Sequence, residues 1–298
     1  MEDEAMSGIG ERAVSAAAKG LAAIRMRRPL IHVIPNNVSA AFMADVLCAV
    51  RARPLMAVAP DEMEEIVSGA DALAVNLGQP VPEKFEACKK ALWAAALTDT
   101  PAVLDPVGAG ASSYRLFMAL ALKEIPWKGI IKGNRTEHLA LEENRLSYTG
   151  VDCVDDGVDC MDAPDRAADR IKPWRPAAKE AGGRTLVFTG REDTVLSDRM
   201  ELTLLHTGDL PYDLTGTGCA AGALCGAFLA VLNEPEFAAA AALSLLGLAM
   251  EKADGAAGYG SYRIRLLDML SDTGPEELAA FTSRCLSYKT KEPEQELR

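Results

Sequence analysis

The chain has 298 residues, 49% of them hydrophobic and 25% charged, enough to bury a sizeable core in one large α/β domain or two ordinary ones. A formal net charge of −12 excludes the concentrated basic surface that nucleic acids and anionic membranes require. Aromatic residues at 5% leave few platforms for stacking bases, and seven scattered cysteines, an odd number, read as reduced thiols of a cytoplasmic protein.

In chain order, short apolar runs alternate with helical stretches, the pattern of a layered α/β domain. Strands are expected at Leu30–Ile34, Leu55–Val58, Ala72–Leu77, Ala102–Leu104, Ile130–Lys132, Thr185–Thr189, Thr194–Leu196 and Leu202–Leu205. Helices are expected at Ser39–Val50, Asp61–Ser68 and Pro82–Leu97, and from Cys219 onward everything reads as helix: 219–232, 234–253, 261–270 and 275–285. The acidic start Met1-Glu2-Asp3-Glu4 lacks the basic, then apolar, pattern of a signal peptide. The apolar region Cys219–Met250 is interrupted by Asn233-Glu234-Pro235-Glu236 and reads as two buried helices, not a membrane span. Asp152–Asp165 is acidic and reads as a solvated excursion, and the spacing of Cys153 and Cys160 within it matches no zinc module.

Ligands of open parallel sheets bind beyond the carboxyl ends of the strands. Polar residues fall there repeatedly: Pro35 and Asn36, Asn76 and Gly78, Asp105, Gly133 and Asn134, Thr189 and Gly190. Leu104-Asp105-Pro106-Val107-Gly108 sets a carboxylate at a strand end, which suits a tight-turn cap or a cation ligand. In Gly133-Asn134-Arg135-Thr136-Glu137, Asn134 and Glu137 have capping-box spacing, and Glu137 is also a second carboxylate on the same rim. Mg²⁺ takes one or two carboxylates together with phosphate oxygens, and Lys132 stands beside them. His32 lies in an apolar strand and reads as a core or rim residue; for His138 and His206 the sequence alone points to no partner residue.

Leu214-Thr215-Gly216-Thr217-Gly218-Cys219 opens into a run of small residues. Two glycines allow close backbone approach, and the following helix offers N–H groups and a positive dipole end to an anion. Cys219 stands in the first turn, where a thiol pKa tends to fall. Taken alone, the loop fits a packing turn and a phosphate cradle equally well.

Five segments in order carry a resemblance: Ile34-Pro35-Asn36-Asn37-Val38, Arg53-Pro54-Leu55-Met56-Ala57, Leu104–Gly108, Gly133–Glu137 and Thr215–Cys219. Together with 72–78 and 258–268, they resemble hydroxyethylthiazole kinase, a thiamine-salvage family of the ribokinase-like superfamily, over roughly residues 28–272. The resemblance implies a three-layer fold with a mostly parallel central sheet flanked by helices. Outside the resemblance, an N-terminal extension or helix would span 1–27 and a charged tail 287–298, leaving one kinase domain over 28–286. It also implies transfer of the ATP γ-phosphoryl group to the primary hydroxyl of 4-methyl-5-(2-hydroxyethyl)thiazole, in a homotrimer with sites at subunit interfaces.

By the same resemblance, Met56 and Gly216 meet the thiazole alcohol and Asn36 lines the active site. Lys132 and Thr189 stand at the ATP positions, and Asp105 and Glu137 at the Mg²⁺ positions. Cys219 takes the place of the general base, or at least of the group nearest the hydroxyl, where related kinases usually carry Asp. The backbone N–H groups of Gly216, Thr217 and Gly218 would form an anion hole. The chain departs from the family at Lys132, usually Arg, at Pro35 and Asn37, and at Arg51 and Arg53, which lie next to Met56 in sequence.

Other readings remain a kinase for a different heteroaromatic alcohol and a non-catalytic ligand-binding relative. The joint presence of Asp105, Glu137, Gly216, Gly218 and Cys219 speaks against the latter. A dinucleotide-dependent dehydrogenase is disfavoured, because Gly108-Ala109-Gly110 lacks the third glycine of the fingerprint.

Overall fold

The computed structural model describes residues 2–146, 182–205 and 214–290. The excursion Asp152–Asp165, Cys153, Cys160, His206 and the last eight residues lie outside them. In chain order the elements are α1 (Glu2–Arg27), β1 (Leu30–Ile34), α2 (Ala40–Ala49), β2 (Arg53–Leu55), α3 (Met63–Ser68), β3 (Ala72–Asn76) and α4 (Pro82–Thr98). They continue with β4 (Ala102–Asp105), α5 (Ser113–Lys123), β5 (Gly129–Asn134), α6 (Arg135–Glu143), β6 (Thr185–Thr189), β7 (Glu192–Leu196) and β8 (Met200–Leu205). After the glycine loop come α7 (Thr217–Leu229), α8 (Pro235–Ala253), α9 (Tyr259–Asp272), α10 (Pro275–Cys285) and β9 (Leu286–Thr290).

One sheet runs β2-β1-β3-β4-β5-β6-β7-β8-β9, parallel from β2 through β6 and antiparallel beyond. Alternate side chains face opposite ways along a strand, and the two resulting cores are distinct. Ile31, Val33, Ala72, Ala74, Val103 and Ile130 pack with α1, α2 and α7–α10. Ile34, Leu73, Val75, Leu104 and Ile131 pack with α3–α6. The result is the expected three-layer arrangement. No helix among the described residues is long and apolar enough to cross a membrane.

Three differences from the sequence reading have local causes. The strand expected at Leu55–Val58 lies at Arg53–Leu55, because the ring of His32 holds the Ala57 carbonyl (3.1 Å) and draws the chain out of the ladder. Helix α5 was not anticipated; the Ser112 hydroxyl caps it by accepting the Arg115 N–H at 3.3 Å. The helical reading after Cys219 and the tail beginning at 287 give way to β9, an antiparallel strand with Leu286 opposite Leu204 and Tyr288 opposite Leu202. A five-residue strand of this kind gains its partner only when β8 presents an open edge.

Helix α7 sits against the centre of the sheet because small residues face it. A Cβ on Gly222 would stand 3.5 Å from the Asp105 carboxylate, and one on Gly226 3.4 Å from Ile31. That close approach brings the glycine loop down onto the strand ends.

Candidate active site

The strand order reverses between β1 and β3, and ligands of doubly wound sheets bind at such a switch point. Asn36 follows β1, Asn76 ends β3 and Asp105 ends β4. The N-terminus of α7 closes over them. A cavity of about 740 Å³ lies there, lined by Asn36, Asp105, Lys132, Glu137, Thr189 and the loop Leu214–Cys219, with Val38, Ser39 and Arg115 among its other walls.

A chain of buried polar side chains forms the floor. Asn36 Nδ2 donates to Ser39 Oγ (2.7 Å) and Asn76 Oδ1 (2.9 Å), and lies 3.4 Å from Cys219 Sγ. Asn76 Nδ2 donates to Asp105 Oδ2 (3.0 Å), which also receives Lys132 Nζ (3.3 Å). Asn36 Oδ1 accepts the N–H groups of Val38 and Ser39, so one amide both builds the turn after β1 and anchors the network. Among the described residues, Asp105 Oδ1 is buried and has no hydrogen-bond partner. A buried carboxylate oxygen is costly to leave so.

Glu137 confirms the capping-box geometry with Asn134 and does more. Its Oε2 accepts the Asn134 N–H (2.7 Å), while its Oε1 reaches across to the Gly108 N–H (2.8 Å). It thereby ties the loop after β4 to the loop after β5. Burial first, and then the nearby Asp105 charge, push its carboxyl up to about 7. Burial likewise raises Asp105, against the opposing pull of Lys132. Two buried carboxylates that disfavour each other's charge, one with an open oxygen, fit a divalent cation that also takes phosphate oxygens.

Lys132 is buried at 4% exposure, with Nζ 3.3 Å from where a Gly218 Cβ would stand. Its charge therefore lies directly beneath the first turn of α7. Gly216 has φ of +98°, a conformation that favours glycine, and a Cβ there would meet Ser39 and Phe42 at 3.2 and 3.3 Å. The Thr215 N–H donates to Tyr259 Oη (3.2 Å), so the start of α9 braces the loop. Thr189 stands at the end of β6 on the cavity wall.

Two expectations change. The Cys219 thiol is not lowered: burial first, then the Asp105 charge, push it up, outweighing the helix terminus and Lys132. The Thr217 N–H is engaged within the loop, with Leu214 O at 3.3 Å, which leaves Gly216 and Gly218 as the loop's better anion donors.

Met56 does not line the cavity; it packs half-buried against the core beneath β2. Arg51 and Arg53 lie outside it too, both exposed, with Arg53 Nε donating to Arg28 O. Pro35 is buried beside Asn36. Ser39 and Arg115 line the cavity, and Lys84 stands behind its wall with Nζ on the Gly78 carbonyl; the sequence reading held none of the three. Ser39 had the signal of standing three residues after Asn36, whereas the two basic residues come near the cavity only through helix packing.

The fold is that of the ribokinase-like kinases, and pyridoxal kinase from Staphylococcus aureus in complex with ADP shares it at TM-score 0.58 and 14% identity, over 88% of this chain and 98% of that one. A model of the hydroxyethylthiazole kinase family matches residues 21–276. Hydroxyethylthiazole kinase from Syntrophus aciditrophicus is 39% identical over 86% of this chain and 92% of its own length. That of Methanoculleus marisnigri is 36% identical over 94% and 97%. The structure of hydroxyethylthiazole kinase protein from Pyrococcus horikoshii superposes with a TM-score of 0.78 at 33% identity, covering 93% of this chain and 99% of that one. This chain belongs to the hydroxyethylthiazole kinase family.

Proposed function

We propose that the chain transfers the γ-phosphoryl group of ATP to the primary hydroxyl of 4-methyl-5-(2-hydroxyethyl)thiazole. The observation that carries this reading is Asp105: a buried carboxylate with an open oxygen, held by Asn76 and Lys132 directly beneath the glycine-rich start of α7. Phosphoryl transfer depends on positioning and charge neutralisation more than on covalent help from the protein. Asp105 and Glu137 are the residues that would hold Mg²⁺, which when bound neutralises phosphate oxygens as a Lewis acid. Lys132 lends its positive charge from below, and the N–H groups of Gly216 and Gly218 meet the transferring oxygens.

Cys219, with its thiol raised, remains protonated at neutral pH and acts as the polar neighbour of the acceptor hydroxyl. Asn36 orients the sulfur. The acceptor oxygen bonds to phosphorus as the bond to the β,γ-bridging oxygen breaks. ADP leaves with that electron pair, and the hydroxyl proton passes late to solvent.

The test is ADP release with Mg-ATP across thiazole, pyrimidine and sugar alcohols. Turnover of the thiazole alcohol above the others supports the reading. Turnover of another alcohol with the thiazole inert replaces the substrate, and turnover of none sinks the kinase assignment.

A homotrimer is part of the proposal. The position of Met56, outside the cavity of a single chain, supports a thiazole site completed at a subunit boundary; sedimentation at three times the 31.7 kDa chain mass is expected. The free thiols of Cys48, Cys88, Cys219, Cys225 and Cys285 support a reducing, cytoplasmic setting.

A further inference from the structure

A chain with net charge −12 gathers three cations about one cavity: Lys132, Arg115 and Lys84. Lys132 is matched by Asp105. The other two form no ion pair among the described residues. Arg115, on α5, lines the cavity and gives one N–H to Val107 O at 2.9 Å, leaving most of its five-donor fork uncommitted among these residues. Lys84, in the first turn of α4, donates to Gly78 O at 2.6 Å, and Gly78 and Gln79 are themselves cavity wall.

The two come from different helices, Lys84 from α4 and Arg115 from α5. Lys84 interacts with Asp105, Arg115 and the Cys219 thiol, the group assigned above to the acceptor hydroxyl. Arg115 lies beside Glu137, toward the loops that meet the nucleotide. Burial weakens both as cations, and the carboxylates near them, Asp105 for Lys84 and Glu137 for Arg115, close to no ion pair with either among the described residues. Arg forks match phosphate oxygens in pairs, and a desolvated ammonium meets an anion strongly.

We propose that Lys84 and Arg115 are phosphate-binding residues that grip the transferring phosphoryl group from two sides. Arg115 holds it while it is the terminal phosphate of the nucleotide, and Lys84 holds it as it reaches the acceptor oxygen. The inference rests on the kinase reading above and adds two residues to it.

The first measurement is calorimetric binding, without Mg²⁺, of a methylene-bridged ATP analogue and of AMP. Arg115→Gln is expected to weaken the analogue about 10- to 100-fold while leaving AMP unchanged. Lys84→Met is expected to lower kcat by a similar factor with the KM of the alcohol held. Lys84→Arg should restore most of kcat.

A pH profile is the third readout. Lys84 sits near about 8 among Cys88 on its own helix, Cys219 from α7, Arg115 from α5 and Asp105 at the end of β4. An alkaline fall in kcat/KM beginning near that pH should therefore move upward in Lys84→Arg. Thermal unfolding of each variant separates loss of binding from loss of fold. If folded variants bind the analogue and turn over like the wild type, the clamp is wrong. If the wild type shows the Arg115-dependent analogue binding but phosphorylates no alcohol, the kinase reading fails and the phosphate contact stands.

Discussion

Asp105 and Cys219 line the same cavity, but their surroundings separate them. Asp105 is held at one oxygen and open at the other, whereas both oxygens of Glu137 already accept backbone N–H groups, so Asp105→Ala removes the carboxylate with an open oxygen. It is expected to lower kcat/KM by about 10³-fold, whereas Cys219→Ala should cost about 10²-fold or less, since a protonated thiol is a weak proton acceptor. The reverse order in an ADP-release assay would count against the cation assignment. Asn76→Ala should destabilise the protein by about 2–3 kcal/mol in urea unfolding, because Asp105, Asn36 and the Gly78 N–H all lose a buried partner.

Lys84 adds a linkage signature. Its folded pKa is depressed from 10.5 to about 8, so between those values the unfolded chain binds more protons than the native one. Stability contributed at this site therefore rises with pH across that window, and the penalty returns as pH falls through about 8. Melting temperatures from pH 7 to 10.5 should climb in the wild type relative to Lys84→Met; parallel curves would show that Lys84 is not desolvated.

At the scale of elements, glycines decide where helices and strands approach. Gly129 begins β5 with φ of +136°, and a Cβ there would fall 2.0 Å from the carbonyl oxygen of Ala102 on the neighbouring strand. Gly129→Ala should cost about 3 kcal/mol or more, read as a lowered urea midpoint, because neither backbone can retreat without breaking the β4–β5 ladder. Much of this level was readable from the chain. Short apolar runs marked five of the six parallel strands, since a strand buried on both faces must be apolar throughout. Arg53–Leu55 and Leu286–Thr290 were less legible because edge strands are short and take their hydrogen bonds from one side only.

For the whole molecule, the N-terminal segment is part of the core and no mere appendage. Ala13, Ala17, Leu21 and Ile24 form one buried stripe of α1, in the cluster that also holds α8 and α10. Leu21→Ala is expected to cost about 2–5 kcal/mol in chemical unfolding while leaving kcat of the folded fraction unchanged. A variant with full stability would mean that α1 docks loosely.

The sequence alone determined the layered α/β class, the family and most of the polar rim that lines the cavity, because strand ends in such sheets converge by topology and their polar residues lie next to apolar runs. It also placed Asn36, Asp105, Glu137 and the glycine loop together in advance. Only the tertiary structure decided the electrostatics. The upward shift of the Cys219 thiol, the open oxygen of Asp105, the exclusion of Met56 from the cavity and the arrival of Lys84 and Arg115 all depend on burial and on contacts between elements far apart in the chain. A local rule, that a helix N-terminus lowers a thiol pKa, lost to desolvation, which no stretch of sequence records.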